Sequence, residues 1–436
     1  MVLGTGKAVE KHIRFLSFLA LFFLISENAA KRPYNTPLRG GLKCGITEVF
    51  SLYGKNGRKE DIMREERHCL PKKDTQAYRL LELVAVCGEF PAELIYRLAG
   101  GPSYKETVTW FLKKERLIRV YYRDKLRGYR LGRRAKAMLL SENPARFSFY
   151  LTGNVDTNLL KSEITRRLRL HRIAEVYVTM QNARVAIFRD EKPEVFSTDK
   201  PICGNLASAV FYSSREVKEL GIETVKIKGS RMMGVLLAPD RVFLTYNSGA
   251  YMAKWDYCVE QRAKVLMQIV LCRGSVSLRY TPDRICGLLF GDGLEPFYQI
   301  LSSADSGARC FFLLDGNYEH FYYLTNDHIG EVMLKLLCDP DRRSELDHIL
   351  FQDLYAGKPQ GIIENDAVDE NGDPVLFGYL LDIPRINRFC NALQLQERHG
   401  TLICFDIQRE ILERCYGGLV TFETISFDKF EKRFYP

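Results

Sequence analysis

Between Ser103 and Lys136 the chain changes its hydrophobic period, and that change constrains the fold more than any other feature. Up to Lys114 the apolar residues Val108, Phe111 and Leu112 recur at helical spacing. From Ile118 onward, Ile118, Val120 and Tyr122 alternate with Arg119, Tyr121 and Arg123, the period of a half-buried strand. Asp124 to Arg127 can turn the chain, and Gly128 to Leu131 supplies a return strand. The same stretch holds twelve Lys or Arg against three acids, a net charge of +9 that equals the formal charge of the whole 436-residue chain. The remaining residues therefore sum to zero. A positive field confined to one small module points to a polyanion as its partner.

The neighbouring sequence completes that module. Asp74 or Thr75 can cap a helix with Ala77, Leu80, Leu81 and Val84 on one face, and Gly88 ends it. Pro91 suits the first turn of a second helix carrying Leu94, Ile95 and Leu98 before the break at Gly100 and Gly101. Ser103 and Glu106 have capping-box spacing for a third helix. A fourth, with Ala135, Met138 and Leu139 inside, closes the module before Pro144. Short helices followed by a hairpin predict a winged helix-turn-helix at residues 74–144.

Strands and helices interleave thereafter, so the fold class is α+β: the winged helix followed by a mixed α/β domain at 145–275 and a further α/β region at 276–436. Helices are predicted at Asn158–Glu175, Arg215–Leu220, Trp255–Leu271, Leu294–Leu301, His328–Leu337, Ile383–Leu393 and Gln408–Cys415. Strands are predicted within Val176–Phe188 and at Arg241–Tyr246, Arg309–Leu314, Val375–Leu381, Thr401–Ile407 and Val420–Ile425. Twelve scattered cysteines without C-x-x-C spacing read as reduced, buried thiols of a cytoplasmic protein. Residues 1–73 form an N-terminal extension in which Lys7, Lys11 and Arg14 precede an apolar run from Phe15 to Ile25. It reads as a segment upstream of the true start, as a signal peptide or as a membrane-associated helix; the absence of periodicity around it favours the first.

In a helix-turn-helix the second helix of the pair enters the major groove. On Ser103–Lys114, Tyr104, Lys105, Thr107 and Thr109 are placed for base or phosphate contacts, with Lys113 and Lys114 on the backbone. The hairpin offers Arg123, Lys125 and Arg127 to phosphates or the minor groove. The bland alternative is a module that makes only protein contacts behind a solvated charged face. A second basic run, Lys161, Arg166, Arg167, Arg169, His171 and Arg172, either extends this footprint or is a solvated helix face.

Pro239-Asp240 invites comparison with metal-dependent nucleases that place one acid at a strand start and an acid-x-Lys on the next strand. The following Arg241 to Ser248 contains no acid-x-Lys, so any nuclease-like fold here is expected to be degenerate, with no catalytic residue assigned. Asp366, Asp369, Glu370 and Asp373 miss the alternating spacing of a calcium loop and read as a hairpin around Asn371-Gly372. Seven dispersed histidines lack metal-ligand spacing, and Gly287–Gly293 lacks the lysine of a phosphate loop. No cofactor or metal is expected.

A winged helix at Thr75–Leu140, a basic helix at Lys161–Arg172 and an α/β region containing Pro239-Asp240 resemble the replication-relaxation proteins of bacterial plasmids and conjugative elements. The resemblance covers roughly residues 74–270 through loose motifs. It implies a DNA-binding accessory protein of a mobile genetic element that assists replication or mobilisation. It also implies a restriction-type nuclease fold after the winged helix. The implied partners are double-stranded DNA and other proteins of the element, not a membrane. The competing expectations are an active metal-dependent nuclease, needing a second carboxylate beside Asp240, and an exported or membrane-associated protein.

Overall fold

A computed structural model describes residues 70–436 apart from 160–162, 197–205, 207, 252–254, 274–283, 306–316 and 356–362. The apolar run at Phe15–Ile25, Lys161 and the strand expected at Arg309–Leu314 lie wholly or mostly outside the described residues. By its contacts the chain divides into Met1–Glu66, also outside them, and Arg67–Pro436.

The Thr75 hydroxyl accepts the Tyr78 amide at 3.3 Å and starts helix α1, Gln76–Cys87. Gly88, at φ +86°, ends it as expected. The second helix expected after Pro91 is instead a short strand β1, Phe90–Pro91, and one 3-10 stretch, Glu93–Arg97. Helix α2 runs Pro102–Lys114 from an N-cap at Gly101. The anticipated Ser103 capping box does not form, because Pro102 is already preset for the first turn and moves the start one residue earlier. Strands β2, Ile118–Arg123, and β3, Leu126–Leu131, are joined by Asp124 and Lys125 alone, both at positive φ, so the turn is tighter than expected. They form a three-stranded sheet in the order β1-β3-β2. Helices α3, Arg133–Glu142, and α4, Pro144–Leu151, follow.

Helix α5, Ile164–Asn182, departs most from expectation, since it continues through Val176–Asn182 where a strand was predicted. Val176, Tyr177, Val178, Thr179 and Met180 are all buried, so the segment has no one-sided stripe to reveal its helical period. Its C-terminal half packs on a sheet assembled from β4 (Val210–Ser213), β5 (Gly234–Leu237), β6 (Val242–Gly249), β7 (Ile285–Gly291) and β8 (Phe321–Thr325) in that order. Along it lie α6, Ser214–Val217, α7, Tyr257–Arg273, and α8, Glu295–Asp305. The first three strands are antiparallel; β6, β7 and β8 are parallel. The boundary expected near residue 275 therefore falls inside one sheet.

Both faces of this sheet are covered. Phe211, Leu236, Phe243, Leu288 and Leu324 join one core with α1, α4, α5 and α9, His328–Cys338. Their neighbours Tyr212, Val235, Leu244, Leu289 and Tyr323 join the other, with α7 and α8. Burial on both sides explains strands that read as continuous apolar runs. Helix α10, Pro340–Leu350, leads to a second sheet of β9 (Ala367–Val368), β10 (Pro374–Phe377), β11 (Thr401–Phe405) and β12 (Thr421–Ile425). Helices α11, Ile383–Gln396, α12, Asp406–Tyr416, and α13, Phe427–Phe434, complete the α+β architecture. The hairpin expected around Asn371-Gly372 is present: β9 and β10 pair antiparallel, and the Asp369 carboxylate caps the amides of Asn371 and Asp373.

No helix of the described residues is long and apolar enough to cross a membrane. Cys87, Cys286, Cys390 and Cys404 are buried free thiols, as expected, whereas Cys258 is exposed. Burial pushes the Cys286 thiol up to about 12.

Candidate nucleic-acid interface

The β2–β3 ribbon has two faces with different fates. Register pairs Ile118 with Leu131, Val120 with Tyr129 and Tyr122 with Arg127, so these six side chains share one face. Ile118, Leu131 and Tyr129 are buried in the core beneath α2. Val120, Tyr122 and Arg127 continue the face past the core into solvent.

The opposite face is closed by a buried ion cluster. Glu89, between Gly88 and β1, is fully buried and accepts from Arg130 Nε at 2.9 Å and from Arg167 Nη2 at 2.6 Å. His171 Nε2 lies 2.9 Å from the same carboxylate. Arg167 also donates to the carbonyls of Arg123, at 2.7 Å, and Leu126, at 3.0 Å, and so clamps the ribbon's end to α5. The Tyr121 ring lies against both guanidiniums, its centre 4.8 Å from Arg130 and 4.5 Å from Arg167. Burial alone would raise the Glu89 pKa, but hydrogen bonds from His171, Arg167 and Arg130 outweigh it and hold the carboxyl at about 2. Gly128 is required here, because a Cβ would meet Glu89 Cγ at 2.6 Å.

These contacts sort the residues singled out from the sequence. Lys105 is buried and donates to the Tyr96 carbonyl at 2.7 Å, and Thr109 is buried with its hydroxyl on the Glu106 carbonyl. Neither is presented to a ligand. Tyr104, Thr107, Lys114, Arg123, Lys125 and Arg127 are exposed, and Lys113 is half-buried. Arg123 lies on the α5 side of the ribbon beside Asp124, 3.5 Å away, whereas Arg127 lies on the α2 side. From the second basic run, Arg167 and His171 serve the buried cluster and Arg166 pairs with Glu163 at 2.8 Å. That helix does not extend the exposed face as a continuous basic stripe. Glu89 itself was not singled out, since its partners lie 41 and 78 residues further along the chain.

The module is braced at two further points. Arg97 donates to Glu331 of α9 and to Thr179 of α5. Arg146 of α4 contacts Glu82, Asp190 and Glu191. Arg97 thus ties the 3-10 stretch before α2 to α5 and α9, and Arg146 ties α4 to α1 and to the segment after α5.

Asp240 occupies the turn between β5 and β6. Its carboxylate accepts from Arg343 at 2.7 Å and from Arg241 at 3.0 Å. Burial raises its pKa, but Arg343 and then Arg241 more than reverse this and keep it ionised below the usual range. It borders a cavity of about 340 Å³ also lined by His320, Tyr322, Arg343 and Asp382. Among the described residues no group of three His, Cys, Asp or Glu is placed to hold a metal ion.

No protein-family model, curated protein or solved structure matches this chain.

Proposed function

We propose that residues 74–144 act as a winged helix-turn-helix that binds double-stranded DNA, and that the chain is a DNA-binding accessory protein of a mobile genetic element. The carrying observation is that α2 presents Tyr104, Thr107 and Lys114 to solvent and the ribbon presents Tyr122 and Arg127 at the free end of its α2-facing side. The acid Glu89 is buried on the other side. A helix presented beside a basic ribbon suits the major groove with flanking phosphates. In this reading Tyr104 and Thr107 approach base edges, Lys113 and Lys114 meet the backbone, and Lys125 and Arg127 reach the flanking phosphates. Lys105 and Thr109 position α2 instead.

The setting in replication or mobilisation follows from the resemblance to replication-relaxation proteins. The α/β remainder acts as a degenerate nuclease-like scaffold and protein-contact surface, in keeping with an Asp240 carboxylate already engaged by two arginines. The test is a titration of the full chain against duplex DNA at several salt concentrations, with Lys113, Lys114, Arg123 and Arg127 changed together to Ala as the comparison. Affinity should fall and the salt slope should flatten by about one for each phosphate contact removed. An unchanged slope and affinity would sink the DNA reading.

A further inference from the structure

The surface that carries the cations also carries large aromatic rings that the core does not use. On α2, Trp110 is 57% exposed and Phe111 37%; on the ribbon, Tyr122 is 68% exposed. Register turns Tyr122 to the same side of the ribbon as Ile118 and Tyr129, the side that packs toward α2. The positive charge is interleaved with them. Lys114 Nζ sits 5.0 Å from the Trp110 ring centre, and Arg127 is the cross-strand partner of Tyr122.

Phe has no hydrogen-bonding group and Trp only a single indole N–H donor, too little to read the paired donors and acceptors of base-pair edges, and an intact duplex keeps its base faces covered by stacking. Unpaired bases expose those faces, and aromatic side chains set among cations bind them by stacking while Lys and Arg hold the phosphates. We infer that this face binds single-stranded DNA, with Trp110, Phe111 and Tyr122 stacking on unpaired bases and Lys114 and Arg127 on the adjoining phosphates. The inference rests on the module's being a nucleic-acid binder and deepens it by naming the state of the strand. A protein occupant would also cover the apolar rings. A second copy of this chain, however, would bring two faces of the same positive sign together, whereas a polynucleotide neutralises the charge.

The chain contains its own reporter, because it has two tryptophans and Trp255 is buried while Trp110 is exposed. The experiment titrates the full chain with oligothymidylate of about 16 nucleotides and, separately, with a duplex of equal length, following tryptophan emission and affinity. The variants are Trp110→Ala, Trp110→Phe and Tyr122→Ala, each checked for an unchanged thermal transition, as expected for exposed positions. Oligothymidylate should quench the emission, and Trp110→Ala and Tyr122→Ala should each weaken its binding about tenfold. Trp110→Phe should retain most of the affinity.

Quenching and tenfold losses without duplex binding would support this inference while removing the duplex reading. Duplex binding with no response to oligothymidylate would overturn this inference and leave the duplex reading standing. Oligothymidylate binding unmoved by either Ala variant would also overturn it. So would self-association of the chain that Trp110→Ala abolishes while oligothymidylate leaves the emission unchanged.

Discussion

The two faces of the β2–β3 ribbon are built from one alternating sequence and carry the same kind of residue, arginine beside tyrosine, yet they do opposite things. Towards α5, Arg130 and Tyr121 meet Arg167 over the buried Glu89, which accepts from both guanidiniums. Towards α2, Tyr122 and Arg127 run into solvent. The difference teaches that a local excess of charge is not one quantity. Part of it holds the ribbon in place, and part is presented because the first part holds.

The strongest way to break this contrast is to remove Glu89. In Glu89→Gln the guanidiniums of Arg130 and Arg167 stay buried without their counter-charge, and stability should drop by about 3–5 kcal/mol. Urea unfolding at neutral pH measures it. A loss under about 1 kcal/mol would class the cluster with surface ion pairs. The same carboxylate sets a pH dependence. Its pKa is held at about 2 against an ordinary 4.5, so its contribution is fully present above about pH 4.5 and is lost as pH falls from there towards 2. The loss is on the order of 3 kcal/mol, and acid titration of stability should show it in the wild type and not in Glu89→Gln.

What was legible in the sequence follows the same division. The α1 caps, the ribbon alternation and the helices from His328, Ile383 and Asp406 each have a one-sided apolar pattern or a turn residue, and they lie near their expected places. The strands at Val210, Gly234, Ile285 and Phe321 were missed because both sides of their sheet are buried and no alternation survives. The continuation of α5 through Val176 was read as strand for the same reason. In the candidate site, exposure of Tyr104, Thr107 and Lys114 follows from helical period, but burial of Lys105 depends on the 3-10 stretch before α2. The cluster at Glu89 was beyond reach, because nothing local joins three segments so far apart in the chain.

Lys105 sharpens the contrast at smaller scale. The buried Lys105 ammonium donates to the Tyr96 carbonyl, so Lys105→Ala should cost about 1–2 kcal/mol of stability. The salt slope of DNA binding should not change, which separates a cation that positions α2 from one that meets phosphate. A flatter slope in Lys105→Ala at unchanged stability would reverse that assignment.

The finest test compares Arg127→Ala with Arg123→Ala, two substitutions four residues apart on opposite faces of one ribbon. Both leave the backbone anchored, since the Arg127 carbonyl accepts from Ala92 and the Arg123 carbonyl from Arg167. Each variant should therefore stay within about 0.5 kcal/mol of the wild type in stability. Arg127 faces the α2 side, and losing it should reduce the salt slope of DNA binding by about one. Arg123 faces α5 and already neighbours Asp124, so its loss should change the slope by less than half as much. Equal slopes in the two variants would mean that the ribbon contributes only its summed charge, and that the distinction between its faces ends at the buried cluster.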